Sequence, residues 1–138
     1  MRKKIAMLVI SLCPQISHAD TAPFTLSQVC QAGVATFYGR NAVIMKTQAL
    51  PGDEVRVTYA RPEDGRPFSF KCRNHPNSNS RLNLLDESLN GARWYGADLA
   101  DRQTIYTVKD DVLIMRVIGN GVMLAENFYK PSSFSTAK

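Results

Sequence analysis

Glu54-Val55-Arg56-Val57-Thr58-Tyr59-Ala60, then Arg61-Pro62-Glu63-Asp64-Gly65-Arg66-Pro67, then Phe68-Ser69-Phe70-Lys71-Cys72-Arg73 is the stretch from which the fold is read. Val55, Val57 and Tyr59 alternate with Arg56, Thr58 and Ala60, and Phe68, Phe70 and Cys72 alternate with Ser69, Lys71 and Arg73. Period-two alternation is the pattern of half-buried strands, so the two runs predict one hairpin. Between them Pro62-Glu63-Asp64-Gly65 suits a type I turn closed by a glycine at positive φ. Strand parity puts Cys72 on the inward face beside the two phenylalanines.

Upstream, Thr25-Leu26-Ser27-Gln28 has the form of a capping box. Leu26, Val29, Cys30, Gly33, Val34 and Phe37 then fall on one stripe of an α-helix, and Gly39 stops it. Cys30 sits mid-stripe. A Cys30–Cys72 bond would therefore pin the helix across the inner face of the hairpin, closing a loop of about forty residues.

Downstream, residues 41–47 read as a short strand or an extended lead-in, and Leu50-Pro51-Gly52-Asp53 as a turn. Residues 81–85 and 92–95 read as brief strands, and 103–109, 112–118 and 122–129 as a meander joined at Asp110-Asp111 and Gly119-Asn120-Gly121. The predicted class is α+β: one N-terminal amphipathic helix packed on an antiparallel sheet of about six or seven strands. No repeat or linker divides residues 20–138, which read as a single domain with frayed ends at 20–24 and 130–138.

The first residues have another logic. Arg2-Lys3-Lys4, the apolar run 5–12 and Ser17-His18-Ala19 are the three parts of a secretory signal peptide over 1–19, cleaved after Ala19. The run is far shorter than the ~20 residues that span a bilayer, so the mature chain is expected to carry no transmembrane segment and to be periplasmic or secreted. Lipidation at Cys13 is disfavoured by the bulky Leu12 before it and Pro14 after it. Removing 1–19 takes away three basic residues and lowers the formal charge from +5 to +2, a weak pull on nucleic acid or membrane. It also leaves Cys30 and Cys72 as the only cysteines, most simply one disulfide in an exported protein.

The chemistry is narrowed by what is missing. His75 is the one histidine left, in a polar loop before Pro76, so neither two-histidine acid–base work nor a histidine-rich zinc site can be assembled. No Gly-x-Ser-x-Gly elbow occurs. The acidic neighbours Asp53-Glu54, Glu63-Asp64, Asp86-Glu87 and Asp110-Asp111 all fall at predicted turns, where they favour local backbone geometry over paired catalysis. No catalytic residue, metal ligand or cofactor is assigned, and a small hydrolase using His75 or Asp98 and Asp101 is the last alternative. Parity also argues against a nucleic-acid surface, because it turns Phe68 and Phe70 inward and Lys71 and Arg73 outward. The candidate binding residues are Arg61, Asp64 and Arg66 in the hairpin turn, with Arg93 and Trp94. The Arg93-Trp94 pair has the composition of an interface anchor and equally of a core tryptophan capped by a stacked arginine; the core reading is preferred.

Cys30-Gln31-Ala32-Gly33-Val34-Ala35, Gly39-Arg40 with Ile44-Met45-Lys46, the run Tyr59-Ala60-Arg61-Pro62-Glu63-Asp64-Gly65 into Phe70-Lys71-Cys72, Ala92-Arg93-Trp94 and Ile105-Tyr106 resemble a group of small exported proteins. That group, of unassigned function, occurs in proteobacterial genomes and on phage or mobile elements. The likeness covers most of 30–118, and its most specific part is the Arg-Pro-acid-Asp-Gly turn followed by aromatic-x-Cys. This chain departs from it at Ala92, where the group has glycine, and at Phe68, where tryptophan is common. The resemblance implies export and paired cysteines and carries no reaction. A looser similarity, through Asn90-Gly91-Ala92-Arg93-Trp94, is to periplasmic lysozyme inhibitors. The functional expectation is a binding or accessory module for an envelope or secreted protein, with a lysozyme-inhibitor-like role as the alternative.

Overall fold

In the computed structural model the described residues are 23–134, so the expected leader, its cleavage after Ala19 and Cys13 lie outside them. The hairpin forms as its alternation requires. β2 (Glu54–Ala60) pairs antiparallel with β3 (Pro67–Asn74), with Val55 opposite Cys72, Val57 opposite Phe70 and Tyr59 opposite Phe68. All but Phe68 of these six are buried, and Phe68 packs against the core from its margin.

α1 (Leu26–Tyr38) begins at the predicted capping box: Thr25 Oγ1 accepts from the Gln28 N–H at 3.2 Å, and Gln28 Oε1 accepts from the Thr25 N–H at 3.0 Å. Each bond satisfies a donor that a helix start otherwise leaves open. Gly39 ends it in the left-handed conformation, φ 64°. Cys30 and Cys72 are disulfide-bonded with Cα atoms 5.8 Å apart.

The helix is buried more completely than a single stripe predicts. Every residue from Val29 to Thr36 is enclosed, Gln31 and Thr36 included. The sheet curls about α1, which touches both edge strands, β1 (Lys46–Leu50) and β7 (Val122–Tyr129). Small residues make the wrap feasible: Ala32, Gly33 and Ala35 let backbone approach, and Gln31 is satisfied by donating to the Ala42 carbonyl at 2.6 Å.

Seven strands run in the order β1 to β7. β4 is Arg81–Asp86, β5 Gln103–Lys109 and β6 Val112–Gly119. The β5–β6 and β6–β7 turns place Asp110, Asp111, Asn120 and Gly121 at φ 53°, 59°, 51° and 73°, the twist that two-residue hairpin loops favour. A bulge between Val117 and Ile118 shifts the register of β7. The weak seam is β4–β5, where only Arg81–Ile105 and Leu82–Thr104 are paired.

Two expectations are corrected. Val43 and Ile44 belong to a 3₁₀ turn (Ala42–Ile44) held by Asn41, and the strand begins only at Lys46. Residues 92–95 form no strand: Tyr95 makes one isolated bridge to Leu84, because β5 has already diverged from β4 there. Phe24 is 4% exposed and meets Phe134 edge-on at 6.2 Å, while Phe134, in a 3₁₀ turn (Pro131–Phe134), stacks on Tyr129 at 5.6 Å. Aromatic packing holds Phe24 and Phe134 against the core. No helix among the described residues is long and apolar enough to cross a membrane.

Candidate functional site

The five candidate binding residues fall into two separate clusters. Arg61, Asp64 and Arg66 come together at the hairpin tip. Asp64 accepts from both the Nε of Arg61, at 2.9 Å, and its Nη2, and from the Arg66 N–H at 3.0 Å. The Arg61 guanidinium foremost holds the Asp64 carboxyl well below the usual range. Both arginines lie over the Phe68 ring, each 5.5 Å from its centroid. Glu63 faces Arg40 at 2.8 Å, tying the tip to the end of α1. The arginines thus cover the outer end of an aromatic stack running Phe68, Tyr59, Phe70, Tyr38.

Beside this tip lies a groove of about 580 Å³, a size suited to a compact ligand or a few residues of peptide. Its apolar lining is Ile44, Tyr59, Ala60, Pro67 and Phe68, and its polar lining Lys46, Thr58, Ser69, Glu87 and Ser88. The groove exists because β1 stops short of the hairpin. Lys46 pairs with Thr58, the preceding residues turn away in the 3₁₀ turn, and no β1 residue lies opposite Ala60. In β2 the Arg61 N–H bonds the Arg66 carbonyl on the β3 side. Alternation therefore aims the backbone groups of Ala60 the other way, at the open edge.

Glu87 is fixed within the groove. It accepts from Arg56 Nε at 2.8 Å, Arg56 Nη2 at 3.2 Å and Ser69 Oγ at 2.8 Å, and the Arg56 bond foremost lowers its carboxyl pKa. Lys46, by contrast, has no ion-pair partner among the described residues and is exposed. Linear sequence does not mark this set. Asp86-Glu87 was legible as a turn, and Asp86 does cap Ser88 at 2.9 Å; nothing in linear spacing marks Glu87 as the partner of Arg56 and Ser69. The outward parity of Thr58 and Ser69 was the one available signal.

Arg93 and Trp94 separate from one another. Trp94 is half-buried on the outer face of the sheet, and it is Arg73, at 4.0 Å, that stacks on it. This corrects both the core placement and the expected partner, because Arg73 projects from the face opposite Cys72 while Arg93 turns back to Asp101. Arg93 Nη1 donates to Asp101 Oδ2 at 2.7 Å, and the guanidinium covers Tyr95 at 4.5 Å. Asp101 also accepts from the Gly96 N–H at 3.0 Å and the Asp98 N–H at 3.3 Å, so it organises the loop. His75 Nδ1 accepts from the Asn77 N–H at 3.1 Å. Asp101 is thus committed to Arg93 and the loop backbone, and Nδ1 of His75 to its own turn. Among the described residues no three His, Cys, Asp or Glu are gathered to hold a metal. A scan against protein-family models, a search of curated proteins and a search of solved structures each return no match to this chain.

Proposed function

We propose that this protein is a binding module of the periplasm or cell exterior that takes an extended segment of an envelope or secreted protein in the groove beside the β2–β3 tip. The observation that carries the reading is a concave, largely apolar surface lying against an open sheet edge. Such an edge adds a strand through backbone bonds, while an adjoining pocket reads a side chain. Lys46 is the uncompensated charge of the groove and Glu87 is already neutralised by Arg56, so the segment that fits is apolar with an acidic residue. The buried disulfide supports an oxidising compartment, where such bonds persist. The resemblance to small exported proteins supports the same setting.

The test is a photo-crosslinking residue at Thr58, with the same residue at Asp53 as control, exposed to an envelope and secreted-protein fraction. A partner captured from Thr58 and not from Asp53, and lost on Lys46→Glu, is the expected outcome. Equal capture at both positions overturns the groove reading. Two added assays separate the alternatives: loss of cell-lysis rate on mixing with lysozymes favours the inhibitor role, and turnover of a wall or nucleotide substrate abolished by His75→Ala or Asp101→Asn favours a hydrolase.

A further inference from the structure

Away from the groove, the outer face of β3–β4 holds an unmet polar demand. Asn83 is 0% exposed, and neither its Oδ1 nor its Nδ2 has a hydrogen-bond partner; the buried Nε of Arg73 has none either. The two residues are direct cross-strand partners, which places their Cβ atoms about 5 Å apart on the same face. Exchanging the two ends of the Asn83 amide leaves the deficit unchanged, since both ends lack partners. A buried donor or acceptor left unpaired is costly, so three together in one place call for a common partner.

Above them lies a fixed roof. The Trp94 ring is stacked on the Arg73 guanidinium. Gly96 presses so closely that a Cβ there would stand 3.2 Å from Asn83 Oδ1 and 3.0 Å from the Leu82 carbonyl, and its φ of +93° suits glycine alone. Asp101 holds Gly96 in place through its N–H.

We propose that Asn83 and Arg73 enclose a hydration site for one internal water molecule, and that this water holds the Arg73 guanidinium flat against Trp94. Water is the ligand whose chemistry matches all three atoms. It accepts from the Nε–H of Arg73 and an Nδ2–H of Asn83 and donates to Asn83 Oδ1, three bonds in all, as internal waters typically make. An anion would be repelled by Oδ1 and a cation by the two N–H groups. Asn83 is thereby a positioning residue for the Trp94–Arg73 platform.

The experiment has two readouts on the full chain. In ¹⁵N-labelled protein, cross-relaxation between the Asn83 side-chain NH₂ and a long-lived water is expected; its absence overturns the site. Trp94 is the only tryptophan, so its emission reports on the platform. In Asn83→Leu, which removes the amide and keeps the bulk, a red shift of emission and greater access to a soluble quencher are expected. An unchanged spectrum overturns the positioning role. If Asn83→Leu fails to fold, Asn83→Ser, which keeps a hydroxyl for the water, is expected to retain the wild-type emission, and a red-shifted Asn83→Ser overturns the proposal.

Discussion

Gly33 of α1 lies so close to Leu82 of β4 that a Cβ built on it would stand 2.5 Å from Leu82 Cδ1. Any side chain at this position must displace the buried end of Leu82. Gly33→Val is expected to cost about 1–3 kcal/mol through overpacking. Adding Leu82→Ala returns part of it, with a coupling of about 0.5–3 kcal/mol in a double-mutant cycle read by urea unfolding. Strictly additive losses would show that the contact does not limit helix docking.

The Cys30–Cys72 bond joins residues 42 apart in sequence, and both cysteines are 0% exposed. Replacing both by alanine is expected to cost about 2–5 kcal/mol, chiefly through the freer unfolded chain. Thermal unfolding of the variant beside the oxidised protein measures it. A midpoint shared by the two would remove the disulfide from any part in stability.

Thr36 Oγ1 and the Tyr129 hydroxyl lie 3.0 Å apart in the interior, and Asn127 Nδ2 donates to the same Oγ1 at 3.2 Å. Tyr129→Phe removes one partner from a hydroxyl that keeps another, with an expected loss of about 0.5–1.5 kcal/mol. Thr36→Val strands the buried Tyr129 hydroxyl and is expected to cost about 1–3 kcal/mol. The reverse order in denaturant titrations would mean that Tyr129 finds a different partner.

Asp101, 8% exposed, has its carboxyl held down to about 2, first by the Arg93 bond and further by the Gly96 and Asp98 N–H groups. A carboxyl lowered on folding contributes stability above its unfolded pKa of about 3.9 and loses it as pH falls through the folded value. Stability is therefore expected to decline between about pH 4 and pH 2, with a shallower decline in Asp101→Asn. Chemical unfolding across that window tests it; identical acid slopes in the two proteins would dismiss the contribution.

The local sequence by itself determined the hairpin, the helix and their covalent tie. Alternation in 55–59 and 68–72 sets which side chains face inward, the Thr25–Gln28 box and Gly39 bound the helix, and Cys30 and Cys72 fall on the facing sides. Short-range geometry suffices there, because period and parity act within a few residues. Only the tertiary structure decided how far the sheet curls, that Gln31, Ala32 and Thr36 are enclosed as well as the apolar stripe, and that Trp94 stacks on Arg73 rather than beside Arg93. The same holds for the site: Lys46, Ser69 and Glu87 converge because β1 reaches no farther than Lys46, opposite Thr58, and because the chain just past β4 stays beside β3, the Glu87 N–H bonding the Ser69 carbonyl. Such contacts depend on where distant strands stop and diverge, which is settled by the packing of the whole sheet on one narrow helix and leaves no periodic trace along the chain.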